Sequence, residues 1–387
     1  MRFPEFTGEW KLHATTDYFE FKNGLNPEAK RFGLGTKFIS VMDILNNRYI
    51  TYDKVIASVL PKDDDLKEFG VNYGDILFQR SSETLEDIGR ANVYLDDKTA
   101  LFGGFVIRGK KIGNYNPLFF RYLLSSPNAR KSIIVKGAGA QHFNISQDGL
   151  SKVLLNVPSI QEQEKISQFI NYIDERIDTQ SKIIEQLQSL IKGICNKVLY
   201  SETGKSVKIG DILIERKERT TINNQYEILS STIKGVFSQR EYFSKDIASE
   251  NNIGYKIIRL NDIVISPQNL WMGNINFNDK FDIGIVSPSY KIFTINSSFD
   301  KTFIASLLKS HRALYNYIQV SEQGASIVRR NLNLEAFEHL VFKIPSLNEQ
   351  CKVSNIIKSV LKKIECENQL IKKYEEQKKF LLSNMFI

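Results

Sequence analysis

Two long stretches of the chain place apolar residues in alternating steps of four and three. The first stripe comprises Ile166, Ile170, Ile173, Ile177, Gln180, Ile184, Leu187, Ile191, Ile194 and Val198. The second comprises Val353, Ile357, Val360, Ile364, Glu367, Ile371, Tyr374, Lys378, Leu381 and Met385. A narrow stripe sustained over four or more heptads, without proline, is typical of paired helices. The pattern predicts two helices of about 40 residues, each roughly 60 Å long. A core helix of one globular domain is the alternative interpretation.

The two predicted helices begin with near copies of one motif. "PSIQEQEKI" starts at Pro158, and "PSLNEQCKV" starts at Pro345. Proline followed by serine is a helix start signal. Ser159 with Glu162, and Ser346 with Glu349, have the spacing of a capping box, in which serine and glutamate side chains bond each other's backbone N–H groups.

The duplication extends well beyond these helix starts. At a spacing of 187 residues the following pairs match: Asp75-Ile76 with Asp262-Ile263, Gly137-Ala138 with Gly324-Ala325, Asn144 with Asn331, Glu162-Gln163 with Glu349-Gln350, and Lys165 with Lys352. We expect the spacing to hold without a gap from about residue 74 to 199. A period this long predicts a duplicated domain plus helix, because solenoid units have about 20–50 residues.

The segment before each helix mixes strand-like and helix-like patterns. "GDILFQR" and "GIVSPSYKIFTI" are rich in β-branched residues, whereas "NPLFFRYLLSS" has helical periodicity. We therefore predict an α/β fold with two heads that contain curved sheets, separated by two long helices that form an antiparallel coiled-coil stalk with a pseudo-two-fold repeat. The predicted domains are 1–157 (first head), 158–203 (central helix), 204–344 (second head) and 345–387 (C-terminal helix).

Each apolar stripe carries a polar residue near the middle of its helix. Gln180 and Glu367 are 187 residues apart and so occupy equivalent positions. In an antiparallel pair related by a pseudo-two-fold axis, the midpoints of the two helices meet. We therefore predict that the Gln180 and Glu367 side chains lie together and fix the register of the helices, as a buried asparagine does in dimeric coiled coils. The alternative is that both side chains are solvated at the edge of the seam.

Charge permits a polyanionic partner without requiring one. The formal net charge is +8, and the sequence pI is about 9.1. Residues 1–157 carry +3, residues 204–344 carry +4, residues 158–203 carry −2 and residues 345–387 carry +3. Both heads are mildly basic, so any nucleic-acid contacts must be concentrated in patches.

Several features bear on the cellular compartment. Three cysteines at positions 195, 351 and 366 form no CxxC motif, which indicates a reducing compartment rather than a disulfide framework. "MRFPEFTGEW" lacks the apolar stretch of a signal peptide, and no run of 18 apolar residues predicts a membrane span. We therefore expect a cytoplasmic protein with no membrane contact.

The sequence contains no recognisable catalytic constellation. "GFVIRGKK" at 104–111 fits G-x-x-x-x-G-K, but Lys111 stands where a magnesium-binding hydroxyl is needed, and the intervening residues are strand-like. His13, His142, His311 and His339 form no metal motif, so no metal site is predicted. A chain of this length without such groups is expected to bind or assemble rather than catalyse.

The ordered set of motifs resembles the specificity (S) subunit of type I restriction–modification systems. The resemblance covers essentially the whole chain. It rests on the duplicated "PSIQEQEKI" and "PSLNEQCKV", the "GDIL" and "NDIV" segments, the two heptad helices and the N-terminal "RFPEFTGEW". Asn261 in place of the glycine found at Gly74, and Lys378 within the second stripe, depart from the repeat.

The resemblance implies two target-recognition domains, each reading one half of a split, asymmetric DNA target. It also implies that the helices set the spacing and that two methyltransferase subunits dock on them. Translocase-nuclease subunits complete the complex, and S-adenosylmethionine, ATP and Mg²⁺ belong to these partners. The chain itself would be non-catalytic. A specificity module of a methylation-only system and a coiled-coil scaffold without DNA function are the alternatives.

Two polar segments in each head are candidates for DNA contact, because Arg, Gln and Asn can hydrogen-bond base edges. The candidate DNA-binding residues are Arg80, Ser81, Ser82, Arg90, Lys136, Gln141, His142, Gln268, Asn269, Trp271, Arg329 and Arg330. Asn144 and Asn331 recur at equivalent positions, and turn chemistry is the favoured interpretation for them.

Overall fold

The computed structural model describes residues 1–139, 142–199, 204–242, 251–326 and 329–386, with side chains except at positions 199, 323–326 and 329. The chain divides into two compact units. The first unit comprises Met1–Gln180 with Leu370–Ile387, and the second comprises Ser181–Gln369. The domain boundaries at 157, 203 and 344 stay predictions, because this division falls inside the long helices.

The first unit mixes short strands and helices. Its strands are β1 Lys11–Ala14, β2 Phe19–Asn23, β3 Phe32–Ile39, β4 Ser58–Val59, β5 Gly70–Val71, β6 Ile76–Gln79, β7 Ser81–Ser82, β8 Ala91–Val93, β9 Ala100–Phe102, β10 Val106–Lys111, β11 Phe143–Asn144 and β12 Leu154–Val157. Its short helices are α1 Val41–Asn46, α2 Asp65–Phe69, α3 Pro117–Ser125, α4 Pro127–Ile134 and α5 Gln147–Ser151, and α6 Ile160–Leu199 follows.

The second unit is also built from short strands and helices. Its strands are β13 Lys205–Lys208, β14 Leu213–Glu215, β15 Leu229–Thr232, β16 Gly235–Ser238, β17 Lys256–Arg259, β18 Asp262–Ile265, β19 Ile275–Phe277, β20 Ile283–Val286, β21 Lys291–Ile295, β22 Ser321–Ser326, β23 Arg329–Leu332 and β24 Val341–Ile344. Its helices are α7 Ile209–Ile212, α8 Gln239–Tyr242, α9 Lys301–Leu308, α10 His311–Gln319 and α11 Leu334–Glu338, and α12 Leu347–Asn384 follows.

The two apolar stripes form the long helices that the sequence predicts. Helix α6 has 40 residues and α12 has 38. Within the stripes, Ile166, Ile170, Ile357 and Leu381 are buried. The α/β class with open sheets and two long helices is therefore confirmed. None of the helices in the described part of the chain has both the length and the apolarity needed to cross a bilayer.

Each head contains the same open antiparallel sheet. The strand order is β2-β10-β6-β8 in the first head and β14-β21-β18-β19 in the second. In the first head, the aromatic side chains of Phe19 and Phe78 pack with Phe119 and Phe120 of α3. In both heads, the first strand pairs with the last strand before the long helix, β1 with β12 and β13 with β24. Each head thus closes on itself before the helix begins.

The prediction of a gapless 187-residue spacing is wrong. One backbone hydrogen bond closes the loop after β6 and the loop after β18: Gln79 N donates to Arg90 O at 2.8 Å, and Ser266 N donates to Asn274 O at 3.0 Å. Equivalent residues are therefore 187 positions apart at the start of the loop and 184 positions apart at its end. The helix caps Ser126 and Ser310 keep the spacing of 184. The helix caps Ser146 and Asn333 return to 187. Two loops therefore differ in length by three residues between the heads.

The replacement of Gly74 by Asn261 has a conformational reason. Gly74 has φ 90° and Asn261 has φ 70°, the left-handed region that asparagine tolerates better than other non-glycine residues. The following aspartates are both buried and close the same turn. Asp75 Oδ2 accepts from Asn72 N at 3.0 Å, and Asp262 Oδ2 accepts from Arg259 N at 2.9 Å.

The glutamine of the repeated motif ties each long helix to its head. Gln163 Nε2 donates to Pro158 O at 3.0 Å, and its Oε1 accepts from Asn116 N, before α3, at 3.0 Å. Gln350 repeats both bonds, to Pro345 O at 2.9 Å and from Asp300 N at 2.9 Å. Both glutamines are buried. The motif recurs because the same joint is built twice.

The capping box forms only at the second helix. Ser346 N and Oγ donate to Glu349 Oε2 at 3.1 and 2.8 Å. At the first helix, Glu162 N donates to Ser159 Oγ, but the Glu162 carboxylate accepts instead from Arg2, at 2.7 and 2.6 Å, and from Trp10 Nε1. The predicted box at Ser159 is therefore wrong in its glutamate half, because the N-terminal segment supplies stronger, charged donors.

Within the first unit, the start of α6 packs against the end of α12. Lys378, which interrupts the second stripe, donates to Asp174 Oδ1 at 2.6 Å. Asp174 also accepts from Tyr122 Oη at 2.8 Å and lies 3.8 Å from both Arg48 and Arg121. One buried carboxylate thus faces three cations. Burial lowers the pKa of Arg121 and of Lys378, so this environment already opposes positive charge.

Candidate nucleic-acid interface

In the first head, the two candidate segments come together. Strand β7 pairs with β11, so that Ser81 faces Asn144 and Ser82 faces Phe143. Ile145 N donates to Arg80 O at 3.0 Å and continues this contact. We call residues 80–90 and 136–144 the first loop pair. Residues far apart in sequence thus form one surface at the end of β6.

The polar side chains of the first loop pair divide into engaged and available groups. Arg80 is half-buried and donates to Gly104 O at 3.2 Å. Ser81 Oγ donates to Asn144 Oδ1 at 2.5 Å, and Ser82 Oγ accepts from Thr84 N at 3.2 Å. These hydrogen bonds help to shape the loops, and DNA contact by the three residues stays a prediction.

Of the predicted contacts in the first loop pair, Arg90, Lys136 and His142 are exposed. Arg90 forms an ion pair with Asp87 at 2.6 Å, with both side chains partly exposed. A partly exposed ion pair is worth little in water, so a phosphate can compete for the guanidinium. The predicted contact Gln141 lies outside the described residues.

The residue that holds the loop after β6 in place, Arg130, was not among the residues predicted from the sequence. Arg130, on α4, donates to the carbonyl oxygens of Gly89 at 2.9 Å, Glu86 at 2.9 Å and Ile88 at 2.5 Å. Burial lowers its pKa to about 10, which leaves it charged at neutral pH. No sequence signal could identify it, because its partners are backbone groups whose position depends on the fold.

The second head repeats the arrangement with different side chains. The loop after β18 contains Gln268, Asn269 and a 3₁₀ turn at Leu270–Met272, and it lies beside β23. Arg330 N donates to Gln268 O at 3.3 Å, which joins the two segments. We call residues 267–273 and 321–332 the second loop pair. The predicted Arg329 is in β23, but its side chain lies outside the described residues.

Trp271 and Arg330 form the most specific contact of the second loop pair. The Arg330 guanidinium carbon lies 4.6 Å from the centre of the Trp271 ring, in cation–π geometry. Gln268 is exposed. The backbone of Asn269 accepts from Met272 N and Asn274 N, both at 3.1 Å, and so shapes the turn.

A buried polar network, which could not be predicted from the sequence, supports the second loop pair. Asn274, at the end of the loop, exchanges hydrogen bonds with Ser231, whose Oγ donates to Asn274 Oδ1 at 2.9 Å. Asn276 Nδ2 donates to Ser231 Oγ and Thr232 O, both at 2.7 Å. These bonds fix hairpin β15–β16 against the loop. Buried amides need such partners, so the network specifies one arrangement.

Two of the length differences between the heads lie in the loop pairs. The segment between Gln79 and Arg90 is three residues longer than the one between Ser266 and Asn274. The segment before Asn144 is three residues shorter than the one before Asn331. The scaffold is therefore duplicated, whereas the loop pairs are individual in length and in side chains.

Neither a phosphate loop nor a metal centre occurs at these surfaces in the part of the chain that the structure describes. Val106–Lys111 of the G-x-x-x-x-G-K match form strand β10. No group of three or more His, Cys, Asp or Glu side chains that could hold a metal ion occurs among the described residues.

Comparison with known proteins points to one family. Residues 7–189 match the family described as "Type I restriction modification DNA specificity domain". The chain is 22% identical to the "Putative type I restriction enzyme MjaX specificity subunit" of Methanocaldococcus jannaschii, over 98% of this chain and 93% of that protein. It is 23% identical to the "Type I restriction enzyme EcoKI specificity subunit" of Escherichia coli, over 49% of this chain and 41% of that protein.

A solved structure has the same fold. The S subunit of a type I restriction–modification system from M. genitalium aligns with a TM-score of 0.54 and 14% identity, over 100% of this chain and 99% of that chain. The duplicated heads, the long helices and the matched family agree with one another. Residues 7–189 thus match the DNA specificity domain of type I restriction–modification systems, and the chain as a whole is similar to specificity subunits of these systems.

Proposed function

We propose that this chain selects the DNA target of a type I complex, with each head reading one half of a split, asymmetric sequence. One observation carries the proposal. Each head presents a loop pair at the same place on a duplicated scaffold, and the two loop pairs differ in length and in side chains. Two different surfaces of this kind suit two different half-sites.

The chemistry of the loop pairs suits double-stranded DNA. Arg90, Lys136 and His142 are exposed in the first head, and Gln268 is exposed in the second. Lysine and arginine can neutralise phosphates, while arginine and glutamine can hydrogen-bond base edges in the major groove. A scaffold without DNA function is not favoured, because the matched family is a DNA specificity domain.

Specificity subunits of type I systems act with methyltransferase and restriction subunits. In this proposal, α6 and α12 set the spacing of the half-sites and dock two methyltransferase subunits, and translocase-nuclease subunits join them. S-adenosylmethionine, ATP and Mg²⁺ bind to those partners. The purified chain alone transfers no methyl groups and cuts no DNA. A system that only methylates is not favoured, since the curated relatives are named as subunits of restriction enzymes.

Selection from randomised DNA tests the proposal. The chain, co-purified with the methyltransferase subunit of the same genome, is incubated with a pool of randomised duplexes, and the bound fraction is sequenced at several salt concentrations. We expect two short specified blocks separated by an unspecified spacer, and an affinity that falls steeply with salt. Enrichment of one contiguous block, or of no sequence, would contradict the proposal.

A further inference from the structure

The Arg330 side chain has hydrogen-bonding groups that the protein does not use. Its guanidinium makes no ion pair and no side-chain hydrogen bond with the described residues, whereas the arginines at 31, 130 and 216 are bound to carboxylates or carbonyls. A guanidinium has five N–H donors in a rigid fork. Those of Arg330 are therefore available to a ligand.

Trp271 restricts how these donors can be presented. The Arg330 guanidinium carbon lies over the Trp271 ring, 4.6 Å from its centre. A guanidinium that stacks on an aromatic face keeps the N–H groups of its edge free for a ligand. The Trp271 N–H is itself buried and has no hydrogen-bond partner among the described residues, so hydrogen bonding does not explain the choice of tryptophan. The bond from Arg330 N to Gln268 O fixes the backbone beneath the stack.

We propose that Arg330 reads a guanine in the half-site of the second head, with Trp271 as the positioning residue that holds its guanidinium plane. The inference rests on the proposed function. A flat fork held edge-outward matches the O6 and N7 acceptors of guanine in the major groove, which is the commonest specific arginine contact with DNA. At the equivalent position of β11 the first head has Phe143, which has no such donors. The guanine contact therefore belongs to one half-site only.

The test compares base preferences position by position. Wild-type chain and the variants Arg330→Lys, Trp271→Ala and Trp271→Phe, each complexed with the methyltransferase subunit, select from the randomised duplex pool. Arg330→Lys keeps the charge but loses the planar fork, and Trp271→Phe keeps an aromatic face. Tyr315→Ala, which removes an exposed aromatic side chain from α10 of the same head, is the matched control.

We expect one G·C position, in one half of the target, to lose about tenfold or more of its selectivity in Arg330→Lys and Trp271→Ala. Trp271→Phe and Tyr315→Ala should keep the preference, and the other half should not change. A merely structural role for Trp271 would lower binding to all sequences and would not be rescued by phenylalanine. Should Trp271→Ala fail to fold, Arg330→Lys alone decides.

Other outcomes separate the two proposals. A wild-type target with two specified blocks, in which Arg330→Lys changes no position or weakens every position equally, overturns the guanine contact and leaves the proposed function intact. A second half-site without any specified G·C pair would likewise overturn the guanine contact and leave the proposed function intact. A wild-type complex that selects no split sequence overturns both.

Discussion

At the scale of single residues, the repeated helix start is explained by one buried side chain. Gln350 joins the first turn of α12 to the start of α9 through bonds to Pro345 O and from Asp300 N. The spacing of the repeated motif predicts a role for its serine and glutamate in a capping box. No role could be predicted for the repeated glutamine, because its partner lies 50 residues away in sequence and is a backbone group.

Replacing this glutamine should weaken the second unit. Gln350→Ala leaves a buried N–H and a buried carbonyl without partners, so we expect the free energy of unfolding to fall by about 1–3 kcal/mol. Urea denaturation of the purified chain measures the change. Gln377→Ala, an exposed glutamine on the same helix, is the control and should be nearly neutral. If the two substitutions lower the free energy of unfolding equally, the hydrogen bonds of Gln350 do not stabilise the second unit.

At the scale of elements, the long helices were predictable and the loop lengths were not. A buried stripe leaves a period of 3.5 residues in any sequence, as Ile166, Ile170 and Ile357 show. Strand pairings such as β7 with β11 join distant residues and leave no local signal. The loops after β6 and β18 are anchored in the cores by Ile88 and Leu270, but their lengths follow no period, so the three-residue difference between them could not be predicted. The candidate segments were found because they are polar and flank recognisable strands.

The Asp174 cluster makes a prediction about the packing of the two helix ends in the first unit. Asp174→Asn removes the buried anion that Arg48, Arg121 and Lys378 share. We expect the free energy of unfolding to fall by about 3–5 kcal/mol, because Arg121 and Lys378 lose their carboxylate partner, whereas Arg48 keeps Asp178. Lys378→Met should cost much less, since it removes one of three cations and restores the apolar stripe. Thermal and urea denaturation measure both.

A matched control tests whether burial causes this effect. Asp178→Asn makes the same chemical change one turn further along α6, where Asp178 pairs with Arg48 at 2.8 Å but is 52% exposed. An exposed ion pair contributes about 0–1 kcal/mol, so this variant should be close to wild type. If Asp174→Asn is no more destabilising than Asp178→Asn, the buried cluster does not hold the helix ends.

The predicted pairing of Gln180 with Glu367 stays a prediction. Glu367 is buried, and its Oε1 lies 2.5 Å from Lys363 Nζ. This burial does not favour the alternative interpretation for Glu367, in which both side chains are solvated at the edge of the seam. Oε2 of Glu367, and Oε1 of Gln180, have no hydrogen-bond partner among the described residues. Replacing both residues with leucine should stabilise the helices and loosen their register.

The variant in which both Gln180 and Glu367 are replaced by leucine is tested by the spacer lengths that its complex accepts in DNA targets. A slip of one heptad moves a head by about 10 Å along the helix, which is roughly three base pairs. We expect the variant complex to accept targets whose spacer is one base pair longer or shorter, measured by binding to matched duplexes. A spacer preference as sharp as that of the parent would refute the register role, whatever the distance between the two side chains.

At the scale of the whole molecule, two closed heads carry two individual loop pairs. The pairing of β1 with β12 and of β13 with β24 closes each head before its long helix. Each head should therefore fold and read DNA without information from the other. The proposed function therefore predicts that residues 1–157 read one half of the target and residues 204–344 read the other half.

Exchange of one head, followed by methylome sequencing, tests this claim most directly. Residues 1–157 are replaced by the corresponding head of another specificity subunit, and both chains are expressed with the methyltransferase subunit in a host that lacks them. A host without either chain gives the background. We predict that one block of the methylated sequence changes while the other block and the spacer stay as in the parent. A change in both blocks, or no change in either, would contradict the account.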